Sequence, residues 1–409
     1  MDCLGTRKLI SRFLWSNVDE GRIFYVMSID FFKVPSPCFV LDETLLRINL
    51  EMLKMVQEEA GVEIICALKG YSMWSTFPLL KQYLAGATAS SLNEAKLIFH
   101  EMGVKAHTYC PVFLDEEFDE ILQYSSHVSF NSLSQFHRFL PRIKELGSNV
   151  SLGLRINPEY SEIETDLYNP AVPGSRLGIT ADELGDNLPD EIEGLHFHVL
   201  CENDSYVLER TLAKVEERFG HLIKKVKWFN MGGGHHITRK DYDVRHLIEL
   251  LKDFRNRYPN LETVILEPGE AIGWQTGYLV STVHDIIEKK DMKIAMLDVS
   301  FAAHMPDCLE MPYKPKILGA SDPVAGKTIY RLGGSTCLAG DYMGMGDYSF
   351  GADLKVGDKV VFDDMIHYTM VKTTFFNGVK HPAIGIFRED GSFVLLRTFS
   401  HENYKNKLS

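Results

Sequence analysis

The sequence predicts an α/β chain: a (β/α)8 TIM-like barrel with a second, all-β C-terminal domain. Three observations predict it. Eight short, β-rich apolar bursts alternate with helical stretches over about 230 residues, the size and period of such a barrel. Nearly every burst closes on a polar residue or glycine at its C-terminal edge. Past residue 290 the helical spacing fades, and β-rich runs separated by glycine turns replace it.

In order, the first 33 residues mix apolar stretches with Arg, Asp and Glu, unlike a signal or transit peptide. They are read as an N-terminal extension without fixed structure, with Met27 as an alternative start. Val34-Pro35-Ser36-Pro37 breaks the chain before Cys38-Phe39-Val40-Leu41-Asp42, a strand (residues 34–43) expected to join the β-domain. Residues 44–290 are assigned to the barrel. Leu45, Ile48, Leu50, Leu53 and Val56 give helical spacing over 43–60. The first barrel strand is Ile64-Ile65-Cys66-Ala67, running into Leu68-Lys69-Gly70. The next four bursts lie at 87–90, 106–109, 128–131 and 151–157. The sixth is Gly194-Leu195-His196-Phe197-His198, the seventh Trp228-Phe229-Asn230-Met231 before a triple glycine, and the eighth Thr263-Val264-Ile265-Leu266-Glu267. An open doubly wound sheet is the competing fold, but it binds phosphate after its first strand, not its seventh. Residues 291–409 form the β-domain, with runs at 294–299, 328–332, 359–362, 383–387 and 392–396.

Composition narrows the function. A 409-residue chain with 45% hydrophobic and 24% charged residues is that of a soluble globular protein. A net charge of −13 argues against nucleic-acid and anionic-membrane partners and permits a mild pull on cationic substrates. Seven cysteines form no CxxC pair, which suggests a reducing compartment, and no apolar run reaches spanning length. The expected location is cytoplasmic.

The strand ends hold the chemistry. Lys69, Ser90, Asn131, Arg155, His198, Gly232 and Glu267 converge on one mouth if the barrel is right. A lone strand-end lysine more often snorkels to water, but a partly buried amine is also what Schiff-base chemistry needs. Gly232-Gly233-Gly234 lets backbone N–H groups approach a phosphate. Glu267-Pro268-Gly269 aims a carboxylate inward on a stiff turn. His198 offers a plane to stack on a flat cofactor. His196 and His198 are read as alternating along their strand, so that only one faces the mouth. No metal site is expected: His235-His236 diverge and no HExxH or CxxC supports one. A lysine, a phosphate loop and a carboxylate together suggest pyridoxal 5'-phosphate, with the Glu keeping the pyridine nitrogen protonated.

Ala67-Leu68-Lys69, Phe197-His198-Val199, Gly232-Gly233-Gly234, Glu267-Pro268-Gly269, Cys337 and Tyr368, in that order, resemble the fold-type III pyridoxal-phosphate decarboxylases, whose barrel is alanine-racemase-like. The resemblance covers roughly residues 34–400. Within that group the chain is most similar to the carboxynorspermidine/carboxyspermidine decarboxylase branch. The 151–158 stretch Ser-Leu-Gly-Leu-Arg-Ile-Asn-Pro, Ser175-Arg176-Leu177-Gly178, Cys201-Glu202-Asn203 and Ser335-Thr336-Cys337-Leu338-Ala339-Gly340-Asp341 carry that choice. Two departures agree with it. Glu270 stands where ornithine and diaminopimelate decarboxylases usually place an arginine, and His198-Val199-Leu200-Cys201 replaces their His-Val-Gly-Ser.

The resemblance implies roles. Lys69 would hold the cofactor aldehyde, His198 stack on its ring, Glu267 pair with the pyridine nitrogen, and Gly233, Gly234 and Tyr368 hold the phosphate. Cys337 would return a proton after carbon dioxide leaves. Asp341, Asp307, Glu310 and Arg155 are the candidate substrate contacts, the acids facing the distal amines of a carboxylated triamine. The resemblance further implies a homodimer with shared active sites, Cys337 and Asp341 coming from the neighbouring subunit. A diaminopimelate decarboxylase of lysine biosynthesis and a catalytically inactive binding homologue are the alternatives. An alanine-racemase-type activity is disfavoured, because it pairs arginine with the pyridine nitrogen.

Overall fold

The computed structural model describes residues 29–409. The expectations for the first 28 residues, Met27 included, lie outside these. The chain divides into two compact units, Arg47–Trp274 and the remainder from both ends, up to Leu46 and Gln275–Ser409.

The first unit is a closed eight-stranded barrel. Taking Cys38–Asp42 as β1, its strands are β2 (Glu63–Ala67), β3 (Gly86–Ala89), β4 (Ala106–Tyr109), β5 (Ser125–Phe130), β6 (Ser151–Arg155), β7 (Ile192–His196), β8 (Trp228–Asn230) and β9 (Thr263–Leu266). Each pairs in parallel with the next, and β9 returns to β2 through Glu63↔Ile265 and Ile64↔Leu266. Parallel strands covered on both faces read as near-continuous apolar runs, as β2 and β9 do, whereas β4 carries His107 and Thr108 and β5 opens on Ser125, Ser126 and His127. Helices follow on caps set just beyond strand ends. Ser91 accepts from Glu94 N ahead of Leu92–Leu97, and Ser132 accepts from Gln135 N ahead of Leu133–Leu146. The capping turns leave the strand-end side chains facing the C-terminal mouth. Trp228 lies across the barrel interior, its Nε1–H donating to Ser151 Oγ at 2.8 Å. A Cβ on Gly194 would fall 1.9 Å from the indole, and one on Gly153 2.3 Å, so two glycines on adjacent strands make room for one large ring.

The second unit is built on a seven-stranded sheet. Its strands are β1, β10 (Gly277–Glu288), β11 (Lys293–Leu297), β13 (Tyr330–Gly333), β15 (Lys359–Asp363), β16 (Ala383–Phe387) and β17 (Phe393–Arg397); β12 (Ala320–Ser321) and β14 (Ser349–Phe350) form a separate two-stranded ladder. β1 lies antiparallel to β10 and parallel to β16. The long β10 corrects the expected boundary. It was placed inside the barrel segment ending at 290, but it pairs with β1, β11 and β15, so the boundary falls at 274/275. The unit is also less purely β than expected, with short helices at Phe301–His304, Asp307–Glu310 and Tyr368–Lys372 and a terminal helix His401–Leu408. Residues 31–33, expected to belong to an unstructured extension, form a 3-10 turn. Phe31 is buried there, edge-on to Tyr278 at 5.1 Å, in a core with Val34, Cys38, Val40 and Phe387.

Candidate active site

The barrel mouth gathers Lys69, Arg155, His198, the glycine turn and Glu267. Gly233 N–H donates to His198 Nδ1 at 2.8 Å, and His198 Nε2 lies 3.0 Å from Lys69 Nζ. These two contacts fix the protons. With Nδ1 accepting, a neutral imidazole carries its hydrogen on Nε2, which then donates to Lys69. Only an unprotonated amine has a lone pair to accept it. The Lys69 side chain as a whole is exposed, while its amine end lies against His198. Loss of solvation, with Arg155 nearby, brings its pKa down from 10.5 to about 8. His198 falls well below the ordinary histidine range for the same reason, burial first and then the Lys69 charge. The amine therefore gives up its proton more readily than a free lysine, and its neutral form is the one that can accept from His198 Nε2–H.

Glu267 is 6% exposed. Burial pushes its pKa up; a hydrogen bond from Asn230, the Lys69 charge, a hydrogen bond from Thr88 and the Arg155 charge pull it back. Asn230 Nδ2 donates to Oε1 at 2.6 Å, while its Oδ1 accepts from Gly232 N at 2.8 Å, tying the carboxylate to the glycine turn. His196 and His198 both face Glu267, which corrects the expectation that only one faces inward. Residues two apart in a strand share a face. His196 Nε2 stands 3.6 Å from Glu267 Oε2. Donor atoms of His196, His198 and Glu267 lie within 4.8 Å of one another, a spacing that could suit a metal ion, but the Lys69 amine occupies the free side of His198. Arg155 is buried, its Nη2 donating to His198 O at 2.9 Å and its guanidinium 4.6 Å from the Tyr109 ring centroid. It braces the histidine strand.

The glycine turn is a cradle no side chain could fill. Gly232 and Gly234 have φ of +69° and +84°, and a Cβ on them would fall 2.3 Å from Phe197 O and 2.1 Å from Leu200 O. The N–H groups of Gly232 and Gly233 are committed to Asn230 and His198, so the turn orients the site as well as leaving room beside it. An amine whose pKa is brought down to about 8, a flat ring beside it, a buried carboxylate and this cradle fit pyridoxal 5'-phosphate.

The remaining predicted residues belong to the sheet unit and are grouped there. Cys337 is exposed, its N–H donating to Asn377 Oδ1 at 2.8 Å. Asp341 is buried and its oxygens are taken by its own chain. Oδ1 accepts from Phe301 N and Ala302 N, and Oδ2 from Thr336 N and Thr336 Oγ1. That assigns Asp341 to holding the Cys337 loop. Gly334 completes the clamp, since a Cβ there would fall 2.3 Å from Asp341 Oδ1. Asp307 accepts at Oδ2 from Thr369 Oγ1 (2.6 Å) and Tyr313 OH (3.0 Å), beside Tyr368, and keeps Oδ1 buried without a hydrogen-bond partner. Glu310 is paired with Lys372 near the surface. Asn230, Thr88 and Asn377 were given no role from the sequence, and His196 was set aside as facing away. Asn230, Thr88 and His196 are polar residues at inward positions of otherwise apolar strands, which was the available signal.

A lysine-bearing barrel with a glycine cradle and an added sheet defines the class, and the comparisons agree. A family model described as "Pyridoxal-dependent decarboxylase, C-terminal sheet domain" matches residues 24–366, and the chain belongs to that family of pyridoxal-dependent decarboxylases. It is 52% identical over 376 residues to carboxyaminopropylagmatine decarboxylase of Synechocystis sp., covering 92% of this chain and 96% of the relative. It is 45% identical to the carboxynorspermidine/carboxyspermidine decarboxylase of Campylobacter jejuni, covering 91% and 98%. The crystal structure of carboxynorspermidine decarboxylase from C. jejuni complexed with norspermidine matches with a TM-score of 0.84 at 43% identity, over 91% of this chain and all of that one. A diaminopimelate decarboxylase from Haemophilus influenzae reaches 26% identity over 49% of the chain. The chain is thus a decarboxylase that uses pyridoxal 5'-phosphate. No helix among the described residues is long and apolar enough to cross a membrane.

Proposed function

We propose that this chain removes the α-carboxylate of a carboxylated triamine, carboxynorspermidine or carboxyspermidine, releasing carbon dioxide with norspermidine or spermidine. The observation that carries this reading is the match, over nine-tenths of the chain, to relatives named for those substrates. A second reading is favoured by the 52% identical relative. Carboxyaminopropylagmatine shares the reacting carboxyaminopropyl end but ends in a guanidinium.

Bound pyridoxal 5'-phosphate supplies an electron sink for the pair of electrons left on the α-carbon when the carboxylate departs. Lys69 would supply the amine for the aldehyde, and His198 would offer its ring to the cofactor. Glu267 would serve as the acceptor for the pyridine nitrogen and favour its protonated form. Gly233 and Gly234 would leave room for the phosphate, with Gly234 and Tyr368 as donors to it. Cys337, held in place through Asp341 and Asn377, would return the proton to the α-carbon. Arg155 acts through the His198 backbone. Asp307, whose Oδ1 is buried without a partner, is the acid best suited to a distal cation. Glu310 is already paired, and Asp341 is saturated. The assembly is a cytoplasmic homodimer in which Cys337 of one subunit serves the barrel of the other, with neither nucleic acid nor membrane as partner.

The test is carbon dioxide release from carboxynorspermidine, carboxyspermidine, carboxyaminopropylagmatine and meso-diaminopimelate, with the cofactor's visible absorption followed in parallel. Release from the first two supports the reading. Release from the agmatine derivative alone moves the substrate to the second reading. Release from diaminopimelate alone overturns both, and no release from any would make the chain a binding homologue.

A further inference from the structure

The barrel interior beneath Glu267 is not the stacked Val, Ile and Leu usual in this fold. His196 is 2% exposed, and neither of its ring nitrogens has a hydrogen-bond partner. Beside it, His107 and His127 stack at 3.9 Å between ring centroids, and Tyr109 meets His196 edge-on at 5.5 Å. Thr88, Thr108, Ser129 and Asn230 line the same small cavity, which offers about 10 Å³ to the centre of a water molecule, room for one. An unpartnered buried imidazole costs stability, so its position calls for a role.

Glu267 supplies it. A carboxylate has about four acceptor positions. Asn230 and Thr88 fill two, and the pyridine N–H of the bound cofactor takes a third. The fourth faces His196 Nε2, 3.6 Å away. Such bonds are often long in an unloaded site and tighten when it is filled. We propose that His196 is a positioning residue for Glu267, donating Nε2–H to Oε2 while one water in the cavity holds Nδ1. The carboxylate then stays ionised and aimed at the pyridine nitrogen despite its burial. The charged and titratable groups facing this pair are Lys69 and Arg155 at the mouth, His198 just beyond the end of β7, and Tyr109, His107 and His127 from β4 and β5. Burial and the two cations keep His196 neutral, which leaves it a single N–H to place.

This rests on a cofactor seated with its ring nitrogen at Glu267, and not on which triamine is the substrate. The experiment records the pH profile of the bound cofactor's visible absorption without substrate, the cofactor Kd, and kcat and KM, for His196→Phe and His196→Gln holoenzymes. Phe removes the donor; Gln carries its amide nitrogen close to the place of Nε2. For Phe we expect a shifted absorption profile, a Kd raised about tenfold, and kcat lowered about tenfold at similar KM. Gln should restore all three to within about threefold of wild type. An unchanged absorption profile in Phe, or a defect in Gln as deep as in Phe, overturns the proposal. Should Phe fail to fold, His196→Asn replaces it, because its amide nitrogen falls at the place of Nδ1. A defect in Asn but not Gln supports the role, and equal behaviour overturns it. A wild-type protein that shows the cofactor band but no turnover of the triamines would sink the substrate reading alone.

Discussion

The barrel mouth and the Cys337 loop place reactive groups in opposite ways. At the mouth, Lys69, His198 and Glu267 leave strand ends whose backbones are fixed on both sides, and loss of solvation lowers the pKa of Lys69 to about 8 and that of His198 well below the ordinary histidine range. In the sheet unit, Cys337 stands on an exposed loop. Its position comes from side chains that spend their bonding capacity on backbone, Asp341 on Phe301, Ala302 and Thr336, and Asn377 on Cys337 itself. Burial tunes chemistry in the first region, while local hydrogen bonding only positions in the second.

If that division is right, mouth substitutions should disturb the cofactor and loop substitutions should not. The largest effect belongs to Lys69→Ala, where turnover falls by about 10⁴-fold or more and the cofactor's visible band is lost. Next comes Glu267→Gln: kcat drops roughly 10²- to 10³-fold, because the pyridine nitrogen loses its anionic partner. Gly334→Ala drives a methyl into the Asp341 carboxylate. It should cost about ten- to a hundredfold in kcat with the cofactor band intact; a lost band would break the comparison. Asp307→Asn should raise KM for a triamine about tenfold at similar kcat. Glu310→Gln, removing a surface pair with Lys372, should alter stability by less than about 1 kcal/mol, read from a thermal melt.

The same contrast explains what the sequence made legible. Eight barrel strands and seven of their end residues could be read in order, because most buried parallel strands are apolar runs and a barrel sends every strand end to one mouth. β10 was passed over. It follows the Glu267 turn and the short Glu270–Gly273 helix without a linker, so the change from barrel to sheet has no mark in composition. Its β-branched residues Val280, Thr282, Val283, Ile286 and Ile287 were the available sign. His196 was misjudged through strand periodicity, a geometric error that the sequence itself could have corrected. The structural role of Asp341 was not legible at all. Its partners are backbone N–H groups as far away as residue 301, and no spacing rule predicts those.

The most direct test of this account is the ionisation of Lys69 in the cofactor-free enzyme. NMR of protein carrying isotope-labelled lysine, with Lys69→Arg used to assign the signal, follows the amine as pH rises. A titration midpoint about 8 is expected, since burial and then the Arg155 charge disfavour the ammonium. A midpoint at the ordinary value of 10.5 would mean the mouth neither desolvates nor orients the lysine, and would contradict the account.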